Sequence, residues 1–234
     1  MQFPSPLLRG RLVERYKRFF ADVELDSGGL VTAHCPNPGA MLGLKTPGQG
    51  VWVSTSDDPK RKLKHTLEIV EQPGGLVGVN TLHPNRIATE AILSGAIPEL
   101  AGYDRLRREV RYDTDSRIDI LLEAEGRPPA WVEVKNCHFL REPGLAEFPD
   151  CVAARSAKHM SALARRAQAG ERAVVLWIIQ RTDCEAFAVA KDIDPAFDQA
   201  LNAAADAGVE VLAYACALTR EGVNVARRVD WLRR

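Results

Sequence analysis

The sequence predicts an α+β protein of two domains, a small β-barrel followed by a mixed, helix-covered sheet. Two observations carry this. Short alternating segments between turn signals fill residues 1–80, whereas strands and helical stripes intermingle from residue 81 onward. The run AVVLWII at 173–179 is continuous, apolar and of strand length, as a strand buried on both faces requires. The pattern changes near residue 80 without a flexible linker, which places the domains at 1–80 and 81–234.

In the first domain, segment 19–25 alternates and meets 30–35 across Asp26-Ser27-Gly28-Gly29, a good hairpin turn. Segments 51–55, 66–71 and 76–80 add three strands, and five short strands suggest a small barrel. The OB-fold is one such solution and an SH3-like barrel another; periodicity does not separate them. One basic cluster, Arg9, Arg11, Arg15, Lys17 and Arg18, is expected before the first strand. A second comprises Lys60, Arg61, Lys62 and Lys64. Each alone reads as a solvated face, but two on one barrel predict a groove that tracks phosphates. Between strands, HCPNPGAM at 34–41 is a loop of turn formers, in which His34 and Asn37 are candidates for presenting hydrogen bonds to a ligand.

In the second domain, Pro84 suits a first helical turn, and Ile87, Ala91, Ile92 and Leu93 give an apolar stripe with Glu90 beside it. Strands are expected at 107–112, 117–123 and 130–138, a loop at 139–149 and a helix at 150–169. In that helix Arg155, Lys158 and His159 interrupt the apolar positions. Strands at 173–179, 186–190 and 209–217 and a helix at 195–207 complete the chain.

Composition narrows function less than it narrows fold. The chain has 234 residues, 46% hydrophobic and 26% charged, with a formal net charge of zero, so any nucleic-acid partner must be held by local patches. Cys35, Cys137, Cys151, Cys184 and Cys216 are scattered, with no CxxC pair, which argues against a disulfide framework or zinc knuckle. No apolar run approaches membrane-spanning length and the first twenty residues hold no apolar h-region. A cytoplasmic protein without a membrane partner is expected.

The chemistry concentrates at 116–138, SRIDILLEAEGRPPAWVEVKNCH, read as two strands and a polar turn. Glu133 and Lys135, two apart on a strand, face one way, and Val132 and Val134 the other. Asp119 stands in the apolar run Ile118, Ile120, Leu121, Leu122, where an aspartate needs a partner. Two carboxylates about 4 Å apart repel by ~4 kcal/mol at an effective dielectric of 20, and a divalent cation turns that repulsion into ligation. An E-x-K on a strand by itself is usually a surface ion pair.

Asp119 followed by Glu133-Val134-Lys135, within helix–strand–strand–strand–helix–strand, resembles the PD-(D/E)XK nuclease core, with Ile118 where the motif's name has proline. HCPNPGAM (34–41), GVNTLHPNRIATEAI (78–92), SRIDILL (116–122), WVEVKN (131–136), EFPDCVAARSAKHM (147–160) and AVVLWIIQR (173–181) together resemble the sugar fermentation stimulation protein A family over essentially the whole chain. The resemblance implies an OB-like N-terminal domain, a PD-(D/E)XK nuclease-like C-terminal domain and DNA binding. It implies that Asp119, Glu133 and the Val134 carbonyl hold Mg²⁺ or Mn²⁺, and that Lys135 activates water and offsets charge on the phosphate. Glu90 would add a further catalytic carboxylate. Arg117, Arg155, Lys158 and His159 would meet phosphates, Gln180 and Arg181 would line the site, and His138 is taken as structural. The expected activity is Mg²⁺-dependent phosphodiester hydrolysis on DNA bound largely without sequence preference, since no helix-turn-helix signature is present. The alternative is a non-enzymatic, non-specific DNA-binding protein regulating sugar (maltose) metabolism genes. A homodimer is left open.

Overall fold

The computed structural model describes residues 1–113 and 116–234. Its first domain contains β1 (Leu8–Tyr16), β2 (Phe20–Leu25), β3 (Leu30–His34), β4 (Gly50–Thr55), β5 (His65–Gln72) and β6 (Gly75–Gly78). Neighbours run β3-β2-β1-β4-β5-β6, and a parallel pairing of β3 with β5 closes five strands into a ring. This closed five-stranded barrel is the OB arrangement. Its interior is filled by Leu12, Val23, Val51, Val53, Leu67 and Val70, all at most 1% exposed.

The first basic cluster does not precede the first strand as expected; Arg9, Arg11 and Arg15 lie on it. Arginines alternate with inward Gly10 and Leu12, a half-buried strand pattern hidden by the charge of its outer face. Gly10 is there because the strands approach closely: a Cβ at that position would sit 2.4 Å from the Glu24 carbonyl oxygen. Gly10→Val is therefore expected to destabilise the protein by about 2–3 kcal/mol, read by urea or thermal melts. A wild-type midpoint in the variant would show that the barrel has slack at this seam.

The second domain has α1 (Pro84–Leu93), then β7 (Arg105–Asp113), β8 (Ser116–Glu123) and β9 (Ala130–Cys137). The expected loop 139–149 is instead a hairpin, β10 (Phe139–Glu142) and β11 (Gly144–Phe148), turning at a glycine with φ 81°. Its strands are short, so no alternation betrayed them. There follow α2 (Ala154–Gln168), β12 (Arg172–Ile179), β13 (Cys184–Val189), α3 (Pro195–Asp206) and β14 (Glu210–Leu218). Two further strands that the sequence reading lacked, β15 (Val223–Arg228) and β16 (Asp230–Leu232), end the chain.

A six-stranded mixed sheet runs β15-β14-β12-β9-β8-β7, with β9, β12 and β14 parallel. A smaller sheet runs β10-β11-β13-β16. β12 lies at the centre of the large sheet and is buried on both faces, as its composition requires. One face, with Val132, Val134, Leu176 and Ile178, packs on α1 and on Ile69 of the barrel. The other, with Trp131, Val175 and Trp177, packs on α2, α3 and the smaller sheet.

The domains are joined by more than the chain. Gly78 N–H donates to the Gln180 carbonyl and Thr182 N–H to that of Leu76, so β6 zips onto the end of β12. Met1 to Phe3 also run along the second domain, where Phe3 N–H donates to the Glu221 carbonyl. No helix among the described residues is long and apolar enough to cross a membrane.

Candidate active site

The pairing of β8 with β9 covers Ile120–Val132, Leu121–Trp131 and Leu122–Ala130 and then stops. Beyond that point Asp119 takes over from the ladder. Its Oδ2 accepts from Val134 N–H at 2.8 Å, and its Oδ1 accepts from Asn85 Nδ2 on α1 at 2.8 Å. A strand residue projects its N–H and C=O to the same edge, so the Val134 carbonyl faces the same gap. Glu133 and Lys135 lie on the α2 side of the sheet, Val132 and Val134 on the α1 side, as alternation predicts.

Glu133 is 3% exposed. Its Oε1 accepts from Lys135 Nζ at 2.7 Å and is met by His159 Nδ1 of α2. Its Oε2 is buried with no hydrogen-bond partner. Arg155 Nε reaches His159 Nε2 at 3.4 Å, so α2 delivers a basic pair to the carboxylate. Burial and then the charge of Glu133 push the Asp119 carboxyl above its ordinary range, against the bonds from Val134 and Asn85. Burial would also raise Glu133, but His159 and Lys135 outweigh it and hold that carboxyl below its ordinary value.

These residues suit one kind of metal. Among the described residues no three His, Cys, Asp or Glu side chains converge as a ready cage. A zinc cage is thus not built, whereas magnesium takes one or two carboxylates and completes its shell with water and substrate oxygens. The orphaned Glu133 Oε2, the buried Asp119 carboxylate and the Val134 carbonyl fit that donor set.

Glu90 is not part of this cluster. Five residues along α1 from Asn85, it points elsewhere, with Oε2 2.8 Å from the Met1 amine and Oε1 2.8 Å from Arg86 Nε. Asn85 is the α1 residue that reaches the site, and its only sequence signal was a polar side chain in the first turn of an apolar-striped helix. Lys158 is exposed on α2, and Arg117 is exposed on β8 opposite Arg111.

The barrel residues separate into two groups. Arg9 is bound by Glu71 and Asp26, Arg11 by the Gly48 carbonyl and Arg15 by the Asn37 and Gly39 carbonyls, so these brace the fold. Lys17 and Arg18 instead form the exposed β1–β2 turn beside exposed Phe19, and both have positive φ, 46° and 63°. Lys60, Arg61, Lys62 and Lys64 occupy the β4–β5 loop; Arg61 is held by Thr66 and Lys64 by the Asp58 carbonyl. These two loops are the ones by which OB barrels hold oligonucleotides. His34 lies within β3, and burial, then Arg61, lower its pKa.

Asn37 does not present its amide to a ligand. It is 1% exposed, donates to the Val79 carbonyl and accepts from Gly39 N–H. The HCPNPGAM loop instead docks on the second domain, where Met41 N–H donates to Asp150 Oδ2 at 2.9 Å. His138 lies between Asn136 Nδ2, 2.9 Å from its Nδ1, and Asp150 Oδ2, 3.8 Å from its Nε2. Gln180 bonds Asn136 and the Asn80 carbonyl, and Arg181 bonds Asp183 and the His138 carbonyl, so both brace this junction.

Burial alone would raise the Asp150 carboxyl, but His138 and the Met41 amide bring it down to about 2. A depressed carboxyl stabilises the fold above its unfolded pKa and loses that contribution as pH falls toward 2. Asp150→Asn is expected to cost about 2 kcal/mol at pH 7, a penalty that closes on acidification below about pH 4. Melts of both proteins across pH 2–7 check this; a penalty independent of pH would remove the electrostatic explanation.

Comparison with known proteins agrees with this architecture. The family model described as SfsA N-terminal OB domain matches residues 13–79, and that described as sugar fermentation stimulation protein RE domain matches residues 82–222. The chain belongs to the sugar fermentation stimulation protein family. A sugar fermentation stimulation protein homolog of Caulobacter vibrioides is 58% identical over 99% of this chain and 97% of its own length. A homolog from Maricaulis maris is 59% identical, with 97% of each chain covered. Among solved structures, Pyrococcus furiosus SfsA in complex with Ca²⁺ superposes with a TM-score of 0.88 at 26% identity, covering 99% of this chain and 98% of that one. Sugar fermentation stimulation proteins of this family thus combine an OB barrel with a mixed-sheet domain, and here the carboxylates lie on the latter.

Proposed function

We propose that this family member is a divalent-metal-dependent phosphodiesterase that cleaves DNA held by its OB barrel. The observation that carries this is the convergence of Asp119, Glu133 and Lys135 with a buried, unpartnered Glu133 Oε2. The helix–strand–strand–strand–helix–strand order around them supports a PD-(D/E)XK-like centre, and the Ca²⁺-bound relative supports a hard divalent cation. Asp119, Glu133 and the Val134 carbonyl would hold Mg²⁺ or Mn²⁺, which supplies Lewis-acid polarisation of the phosphate and a more acidic water. Asn85 fixes the Asp119 carboxylate, and His159 fixes Glu133. Lys135 orients the attacking water and offsets charge accumulating on the phosphate. Lys17, Arg18, Lys60 and Lys62 track the backbone, without base-specific reading.

Single- and double-stranded DNA incubated with Mg²⁺ or Mn²⁺ should be cut by the wild type and spared by Asp119→Asn. Equal cutting by both would assign the activity to a contaminant. Binding without cutting under every metal would favour the second reading, a DNA-binding protein acting on sugar-metabolism genes, for which the two basic barrel loops are the motivating feature. In either case neutralising Lys17, Arg18, Lys60 and Lys62 together should flatten the log–log salt dependence of single-strand binding by about 3 units. An unchanged slope would remove these loops from the interface.

A further inference from the structure

Beside the carboxylates a cleft of about 330 Å³ opens between the two domains, and Lys135 lies on its wall. The barrel contributes Pro38 and Gly39 and the second domain Phe148 and Pro149, so the surface it presents is mostly apolar, with Asn136, His138 and Asp150 adding polar groups. Two strongly exposed aliphatic residues, Leu82 at 71% and Val152 at 73%, are next in sequence to the lining residues Thr81 and Cys151.

We infer that this cleft receives a single unstacked nucleobase from the strand whose phosphate lies at Lys135. The inference rests on the proposed DNA-cleaving reading and adds a subsite to it.

Three features select a base over other occupants. The cleft shares Lys135 with the proposed reacting centre, so a base entering it can belong to a nucleotide next to the phosphate held there. Asp150 is ionised at neutral pH and lines the wall, which repels a second phosphate and favours the donor edge carried by an exocyclic amine. The apolar walls match the face of a heterocycle, and sites that act beside a base hold it by such walls once it has left the stack. Apolar side chains beside a groove can separate stacked bases, and the exposed Leu82 and Val152 adjoin the lining in sequence. A larger cleft of about 490 Å³, under Gln2 to Leu7, shares no residue with the site and has no such link to it.

The chain carries its own reporter. Cys151 lines the cleft and is exposed, whereas Cys35, Cys137, Cys184 and Cys216 are buried. Maleimide labelling of Cys151 is measured on the wild-type protein without divalent metal, so that nothing is cut. Each oligonucleotide is added at a concentration shown by filter binding to saturate. An intact single-stranded oligonucleotide should slow labelling at least fivefold. A fully abasic oligonucleotide of the same length, which keeps every phosphate, should leave labelling at the free rate. Equal protection by the abasic and the intact strand, or protection by neither despite saturation, would overturn the base-binding role and leave the nuclease reading standing. Failure of any DNA to bind would overturn both.

Discussion

Asp119→Asn is expected to abolish metal-dependent DNA cleavage, by about 10³-fold or more, while leaving the protein as stable as before or more so. The loss follows from removing one of two carboxylates available to a cation in a site where no third converges among the described residues. The stability follows from the sign of the Asp119 shift. Burial and the Glu133 charge raise its carboxyl above the ordinary range, so above the unfolded pKa the ionised group is a burden on the folded state. Asparagine removes that charge at the same shape. Its carbonyl can still accept from Val134 N–H, and Asn85 can turn its own oxygen to the new amide. Because a ligand that binds only the folded state raises the melting temperature, Mg²⁺ should stabilise the wild type and not the variant. Cleavage assays and melts with and without Mg²⁺ check both halves; a variant that loses activity by unfolding would argue for a structural Asp119.

Lys135→Met should separate catalysis from metal binding. The thioether side chain keeps the stem packing of a residue only 11% exposed and leaves both carboxylates in place. The Glu133 carboxylate keeps His159 as its partner. A fall of about 10²–10⁴-fold in kcat is expected, with the Mg²⁺-induced rise in melting temperature retained. Loss of that rise would make Lys135 a support for the metal site instead of a group acting on water and phosphate. The contrast with Asp119→Asn, which should lose both signals, assigns the two roles independently.

Much of this centre was legible because it rests on short-range rules. Alternation along a strand placed Glu133 and Lys135 on one side and Val132 and Val134 on the other. An aspartate in an apolar run demanded partners, which the Val134 amide and Asn85 provide. The errors have a common origin. Glu90 and Asn85 belong to the same helix, and only the rotation of α1 against the sheet decides which one meets Asp119. Arg9 and Lys17 belong to the same basic cluster, yet one is taken by Glu71 and the other left exposed at a turn. Charge counted along the chain does not distinguish an arginine that braces a barrel from one available to a phosphate.

By itself the sequence determined the class of the fold, the change from barrel to mixed sheet near residue 80, the double burial of the 173–179 strand and the pairing of carboxylates with a lysine at 119–135. Each depends on the period of apolar residues or on the cost of burying a lone charge, and both are local. Tertiary structure alone decided the closure of the barrel through β3 and β5, the choice of Asn85 over Glu90 and the use of the HCPNPGAM loop as a brace. It also decided the cleft beside Lys135, whose walls come from segments more than a hundred residues apart. These follow from how surfaces distant in sequence fit together, which no periodicity records.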